Sequence, residues 1–326
     1  MFREKAQPKI LIVKLGSIGD VIHTLPTLSA IRQSLPEAHI SWVVEKKAAE
    51  ILRENPILDD LIEVDTKSLR KTDNFISNLK NARNQFKRLR SVKFDVALDF
   101  QGLLKSAFIA KLSGAKRIYG FEREQLREPA SRFLYDEAVK IEPLQNVIEK
   151  NLALAKDALQ IKVPTLAENY VFPIAANENH RLEAENLHRK VNGKFVILNP
   201  GGGWVTKLWD ARKFGRLADE IWRNFGFKTI VNCAPNEENL ASTVIDNCQT
   251  GQIFAASLSL KGFSELLKRA ELYVGGDTSV THLAVAAKTP VVGIFGPTEW
   301  WRNGSPIETD ICVERDDIGC RVDCHR

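Results

Sequence analysis

The sequence holds a single methionine, six histidines and an odd five cysteines in 326 residues, and no run of about 18 apolar residues that would span a bilayer. Met1 to Pro8 lead straight into a strand-like segment without the apolar region and small-residue cleavage site of a secretory signal, so the chain is expected to stay in the cytoplasm. Cys233, Cys248, Cys312, Cys320 and Cys324 are an odd set, which in a cytoplasmic chain argues against a disulfide framework. Cys312, Cys320, Cys324 and His325 are candidate zinc ligands by type, but they form no Cys-x2-Cys pair, and solvated thiols are the simpler reading. No Gly-x-Gly-x-x-Gly is present, which leaves a nicotinamide enzyme without its fingerprint, and no Walker motif occurs. Asp-x-Asp is also missing, so no donor-chelating metal site is indicated.

What is present is an ordinary globular composition, 44% hydrophobic and 27% charged, in a chain long enough for two domains. The net charge of +5 is unevenly spread. Residues 1–170 carry 28 Lys and Arg against 22 Asp and Glu, a balance of +6, and residues 171–326 carry 18 against 19, a balance of −1. Residues 67–93 hold nine basic side chains against Asp73. Such a local excess is either a solvated helix face or a surface for an anionic partner. Lys80, Arg83, Lys87 and Arg90 recur at helical spacing, as do Phe75, Leu79, Ala82, Phe86 and Leu89, which predicts a helix with separate basic and core-facing stripes. Only Phe75 and Phe86 interleave with the basic residues, too few aromatics for a single-stranded nucleic acid platform.

Short apolar runs alternate with helical patterns through both halves. Lys9–Lys14, Ile40–Val44, Leu61–Val64 and Asp95–Phe100 read as strands, with helices over about 20–35, 48–55 and 103–112. After a polar stretch, 175–193, strands are predicted at Phe195–Asn199, Lys228–Cys233, Leu272–Val274 and Val291–Phe295, with helices at 211–225, 263–270 and 279–287. This alternation predicts two parallel sheets covered by helices: an N-terminal domain over 1–170 and a C-terminal domain over 171–326, the boundary falling between about 165 and 180. Ligands of such sheets bind beyond the carboxyl ends of the strands, and two facing sheets would make a cleft between domains.

Four strand-to-helix turns carry the candidate chemistry. In Lys14-Leu15-Gly16-Ser17-Ile18-Gly19-Asp20 the glycines allow close approach to backbone, and Asp20 stands at a helix start, where it either caps the helix or serves as a base. Asn199-Pro-Gly-Gly-Gly-Trp-Val-Thr-Lys207 offers free amides, a helix dipole and one ammonium, the makings of a phosphate site. Gly275-Gly276-Asp277-Thr278-Ser279-Val280-Thr281-His282 crowds a carboxylate and hydroxyls at a helix start, suited to sugar hydroxyls. Gly296-Pro297-Thr298-Glu299 closes the last strand and is the weakest of the four signals.

Together with DVALDFQGLLKSA (95–107) and REPASRFLY (127–135), these segments resemble the ADP-heptose:lipopolysaccharide heptosyltransferases, inverting enzymes of the GT-B class with two Rossmann-like domains facing each other across a cleft. REPASRFLY and DFQGLLKS are most similar to members that add the first heptose to Kdo of the inner core. The resemblance implies Asp20 as the general base and Lys207 as a ligand of the donor diphosphate. It further implies Asp277 on heptose hydroxyls, Thr278 at the diphosphate, Glu237 on the ribose and Leu258 at adenine, with Gly202, Gly203, Gly276 and His282 completing the donor set. On the acceptor side it implies Lys67, Arg70, Lys71, Arg127 and Lys150, holding the carboxylates and phosphates of Kdo2-lipid A at the cytoplasmic face of the inner membrane. The donor is expected to be ADP-heptose, with no metal required and no nucleic acid partner. A different heptose acceptor, another nucleotide sugar or a non-catalytic nucleotide-sugar or polyanion binder are the competing readings.

Overall fold

A computed structural model describes residues 7–66, 87, 89–232 and 237–314. The chain divides into two compact units, Met1–Ala175 and Ala176–Arg326. In the first, β1 (Lys9–Val13), β2 (His39–Glu45), β3 (Asp60–Val64), β4 (Val96–Asp99), β5 (Arg117–Phe121) and β6 (Glu137–Val139) form one sheet in the order β3-β2-β1-β4-β5-β6. The second holds β7 (Phe195–Asn199), β8 (Lys228–Asn232), β9 (Ile253–Ala256), β10 (Leu272–Gly275), β11 (Val291–Phe295) and β12 (Ile311–Glu314) in the order β12-β11-β10-β7-β8-β9. Every pairing between these strands is parallel, and the two orders are the same doubly wound pattern. The fold is therefore the α/β, two-Rossmann-domain arrangement expected of the GT-B class.

The central strands bury both faces, which is why KILIV and FVILN are continuous apolar runs rather than alternating ones. In the C-terminal unit Val196 and Leu198 of β7 pack with Val231, Val274 and the helix Ala211–Phe225, whose Phe214, Ala218 and Ile221 line its inner face. In the N-terminal unit a smaller cluster joins Ala30 to Ile148, Leu152 and Tyr170.

Three departures from the sequence expectation have identifiable causes. The helix expected over 20–35 is two helices, Ile18–Ile22 and Leu25–Ser34. Pro26 lacks an amide proton and its ring would collide with the carbonyl of Ile22 in a continuous helix, so a second helix starts with Pro26 in its first turn. The segment expected as helix over 48–55 is a 3-10 helix at Lys46–Leu52. The polar stretch 175–193 contains a helix, Glu178–Val191, capped by Asn177 and burying only Ala184 and Val191 completely, so its apolar stripe is too thin to read. That helix is held partly through polar contacts: Glu183 accepts from the Ser259 hydroxyl at 2.6 Å and the Ser259 amide at 3.0 Å. Of the basic helix expected over 75–90, most lies outside the described residues, but Leu89 is buried while Lys87 and Arg90 are exposed.

Phe214 is fully buried and meets Trp209 edge-on at 4.8 Å between ring centroids. Phe214→Ala is expected to destabilise the C-terminal unit by about 3–5 kcal/mol, read as a lower urea midpoint at unchanged slope.

Candidate functional site

In each unit the strand order reverses between two adjacent strands, and the crossovers leave in opposite directions at that point, which opens a crevice beyond the strand ends. In the first sheet these strands are β1 and β4, whose register pairs Val13 with Asp99. In the second they are β7 and β10, where Asn199 pairs with Gly275. The turn 14–20 consequently lies beside 100–103, and the turn 200–207 beside 276–278.

The N-terminal turn is built from the strand end outward. Lys14 is buried, donates to the Phe100 carbonyl at 2.9 Å and stands 3.8 Å from Asp20 Oδ1. Gly16 takes a φ of +135°, which side-chain-bearing residues rarely adopt. Asp20 Oδ2 accepts from the Ser17 amide at 2.8 Å and the Ser17 hydroxyl caps the same short helix, so the capping reading of Asp20 holds. Its side chain keeps 37% of its surface accessible. The Gln101 side-chain carbonyl accepts from the amides of Leu15 and Gly16 at 3.1 and 3.2 Å, which fixes the turn from β4.

Gln101 is itself anchored through Asp99. The Asp99 carboxylate accepts from the amides of Gln101 (2.8 Å) and Gly102 (3.3 Å), and from the Ser106 and Tyr135 hydroxyls, both at 2.8 Å. Burial pushes the Asp99 carboxyl up, against the opposing pull of these four donors. Tyr135 reaches Asp99 across Gly120, where a Cβ would lie 2.2 Å from its ring. DFQGLLKS and REPASRFLY had carried the family resemblance without a role for these residues. Lys14, Asp99, Gln101 and Tyr135 form the support of the Asp20 turn.

In the C-terminal unit the structure brings Gly202, Lys207, Glu237, Gly276, Asp277, Thr278 and His282 together. Glu237 Oε1 accepts from the Gly202 amide at 3.2 Å, and a Cβ on Gly201 would sit 2.0 Å from Glu237 Oε2, so a side chain there would displace the Glu237 carboxylate. Lys207 Nζ pairs with Asp277 Oδ2 at 2.6 Å, with side-chain exposures of 11% and 7%. His282 Nε2 lies 3.5 Å from Asp277 Oδ1. Burial pushes the Asp277 carboxyl up, but His282 and Lys207 outweigh it and hold the group far below the usual carboxylate range. Thr278 caps the helix Ser279–Ala286 and accepts from Asn199 Nδ2 at 3.2 Å, tying β7 to the turn after β10. Gly203 is open to its surroundings, and Leu258 is half-buried in the loop after β9.

The acceptor-side candidates are more dispersed. Lys67, Arg70 and Lys71 lie outside the described residues. Arg127 is exposed. Lys150 donates to the Gln125 carbonyl at 3.0 Å and sits 4.3 Å from the centre of the Phe121 ring, so its ammonium is engaged within the protein. The cysteine tail beyond Glu314 and Cys233 also lie outside the described residues.

Two Rossmann-like units, one with a supported carboxylate and the other with a glycine turn and a largely buried lysine side chain at the switch point, have the layout of a nucleotide-sugar glycosyltransferase, and similarity to known proteins supplies the class. The chain belongs to glycosyltransferase family 9, the heptosyltransferases, whose family model matches residues 82–326. It is 31% identical to lipopolysaccharide heptosyltransferase 1 of Pseudomonas aeruginosa over 89% of this chain and 79% of that one. It is 26% identical to lipopolysaccharide heptosyltransferase 3 of Escherichia coli over 87% of this chain and 83% of that one. Among solved structures, the E. coli heptosyltransferase WaaC with ADP superposes with a TM-score of 0.79 at 23% identity, covering 94% of this chain and 93% of that one.

Removing Asp277 would strand the Lys207 ammonium, which is almost wholly buried, without its counter-ion. Asp277→Ala is expected to destabilise the protein by about 3–5 kcal/mol in urea unfolding at neutral pH. Because the folded carboxyl titrates below its ordinary value of 3.8, this contribution is complete above that value and fades only as pH falls beneath it.

Proposed function

We propose that this enzyme transfers heptose from ADP-L-glycero-D-manno-heptose to Kdo of the lipopolysaccharide inner core, with Kdo2-lipid A as acceptor and inversion at the anomeric carbon. The observation that carries the reading is the buried Lys207 in a glycine turn at the switch point of the C-terminal sheet, a cationic cradle for a diphosphate leaving group. The names of the relatives, lipopolysaccharide heptosyltransferases, support the sugar and the acceptor.

In this mechanism Asp20 takes the proton of the acceptor hydroxyl as it attacks the anomeric carbon. A carboxylate is a weak base, so the proton moves late, when the hydroxyl has acidified against an oxocarbenium-like centre. The glycosidic bond to ADP breaks on the opposite face, and charge builds on the diphosphate oxygens. Lys207 and the amides of the glycine turn stabilise that charge. Asp277 and Thr278 hold the sugar and the diphosphate, Glu237 the ribose, and Leu258 the adenine. Lys67, Arg70, Lys71, Arg127 and Lys150 bind the carboxylates and phosphates of the acceptor.

The acceptor is lipid-linked, and the enzyme works as a peripheral protein on the cytoplasmic face of the inner membrane. Leu104, Phe108 and Phe133 are exposed on the N-terminal unit, and the Arg123 guanidinium lies 6.0 Å from the centre of the Phe133 ring. Apolar side chains beside a cation suit the interfacial zone of an anionic bilayer, which supports this partner. Among the described residues no helix is long and apolar enough to cross a membrane.

The test is to incubate the purified enzyme with ADP-heptose and Kdo2-lipid A and follow the acceptor's mass. A gain of one heptose is expected, and a heptosylated acceptor appearing only when a later core intermediate is supplied would move the chain to another step. Asp20→Ala is expected to slow transfer by about 100- to 10,000-fold while ADP binding stays within twofold of wild type, and turnover near normal would remove Asp20 from its role. With Lys207 at the diphosphate and no Asp-x-Asp in the chain, EDTA is expected to leave the initial rate unchanged. A rate lost in EDTA and restored by magnesium or manganese would overturn that expectation.

A further inference from the structure

Gly201, Gly202 and Gly203 put backbone alone into the donor turn, and the next residue, Trp204, brings its bulkiest side chain. The indole sits over Lys207, with the ammonium nitrogen 4.1 Å from the ring centre, well inside cation–π range. The two residues are tied by a single 3-10 turn, Val205–Lys207, in which the Lys207 amide donates to the Trp204 carbonyl at 3.0 Å. Asp277 takes the same ammonium at 2.6 Å. Although Trp204 keeps 36% of its own surface accessible, the Lys207 side chain beneath it keeps only 11%.

This geometry divides the work between two neighbours. Asp277 supplies charge and accepts a hydrogen bond. The ring face supplies attraction without a lone pair, so it confines a flexible four-carbon side chain while leaving N–H donors free for a ligand. A lysine already confined by its surroundings loses less conformational entropy on binding.

We infer that Trp204 is a positioning residue for Lys207, holding the ammonium where the donor diphosphate is bound and thereby raising donor affinity. The inference rests on Lys207 being a diphosphate ligand, as proposed above. Trp204 acts through Lys207 and does not touch the reacting atoms.

The test is ADP binding by titration calorimetry to the full chain and to Trp204→Ala, Trp204→Phe, Lys207→Ala and the Trp204→Ala/Lys207→Ala double variant, with melting curves to confirm that each is folded. Trp204→Ala is expected to weaken ADP about three- to tenfold, while Trp204→Phe, which keeps a ring face, stays within about twofold. In the Lys207→Ala background, Trp204→Ala is expected to change nothing further. In turnover, Trp204→Ala is expected to raise the KM for the donor and leave that for the acceptor unchanged. Unchanged ADP affinity in Trp204→Ala, or a loss equally large in Trp204→Phe, would overturn the inference. So would a loss that persists undiminished without Lys207, because the indole would then be contacting the nucleotide directly. Lys207→Ala alone separates the two levels: if it leaves ADP affinity intact, the diphosphate role of Lys207 fails first and the role of Trp204 falls with it.

Discussion

Parallel strands can be joined only by crossovers that return over a face of the sheet, and where successive crossovers leave in opposite directions the sheet is uncovered at its carboxyl edge. That constraint operates twice in this chain, between β1 and β4 and between β7 and β10. Both glycine-containing turns that carry the candidate chemistry emerge at those two positions. The strands beneath them are buried on both faces, so the backbone of each turn is held from below by a rigid support.

The supports of the two turns differ in kind. The Asp20 turn is braced by neutral hydrogen bonds that its Leu15 and Gly16 amides donate to Gln101, which is fixed in turn by the buried Asp99 and its partners Ser106 and Tyr135. That leaves the Asp20 side chain partly accessible, with Lys14 as its close cationic neighbour. The donor turn is braced by charge: Lys207 is locked to Asp277, Asp277 to His282, and Glu237 to the Gly202 amide. A buried ion pair is costly to desolvate and contributes modestly to net stability, but breaking it strands a charge.

The acceptor side follows a different logic. Lys150 is engaged with Gln125 and Phe121, and Arg127 is exposed. Exposed Leu104, Phe108 and Phe133 add apolar surface to this unit. The charge of the sequence is asymmetric, +6 in residues 1–170 against −1 in residues 171–326. Electrostatic attraction of this kind is diffuse and screened over about 8–10 Å, so it is set by composition more than by single contacts.

Strand identity and order of elements were legible in the residues themselves, because strands buried on both faces must be continuously apolar and their turns must carry glycine. KILIV, VALD, FVILN and VVGIF all appear as strands where their composition put them. The edge strands β6, β9 and β12, three or four residues each, were not read from the sequence, and the helix Glu178–Val191 shows almost no apolar stripe because it packs partly through Glu183. Motif position alone singled out Asp20, Lys207 and Asp277 as candidates, since they stand in the turns that follow strands β1, β7 and β10. Only the tertiary structure joined Lys207 to Asp277, 70 residues away, and Gln101 to the Leu15–Gly16 amides, 86 and 85 residues away. These partners are brought together by sheet register, which depends on packing across the whole domain and leaves no local periodicity in the chain.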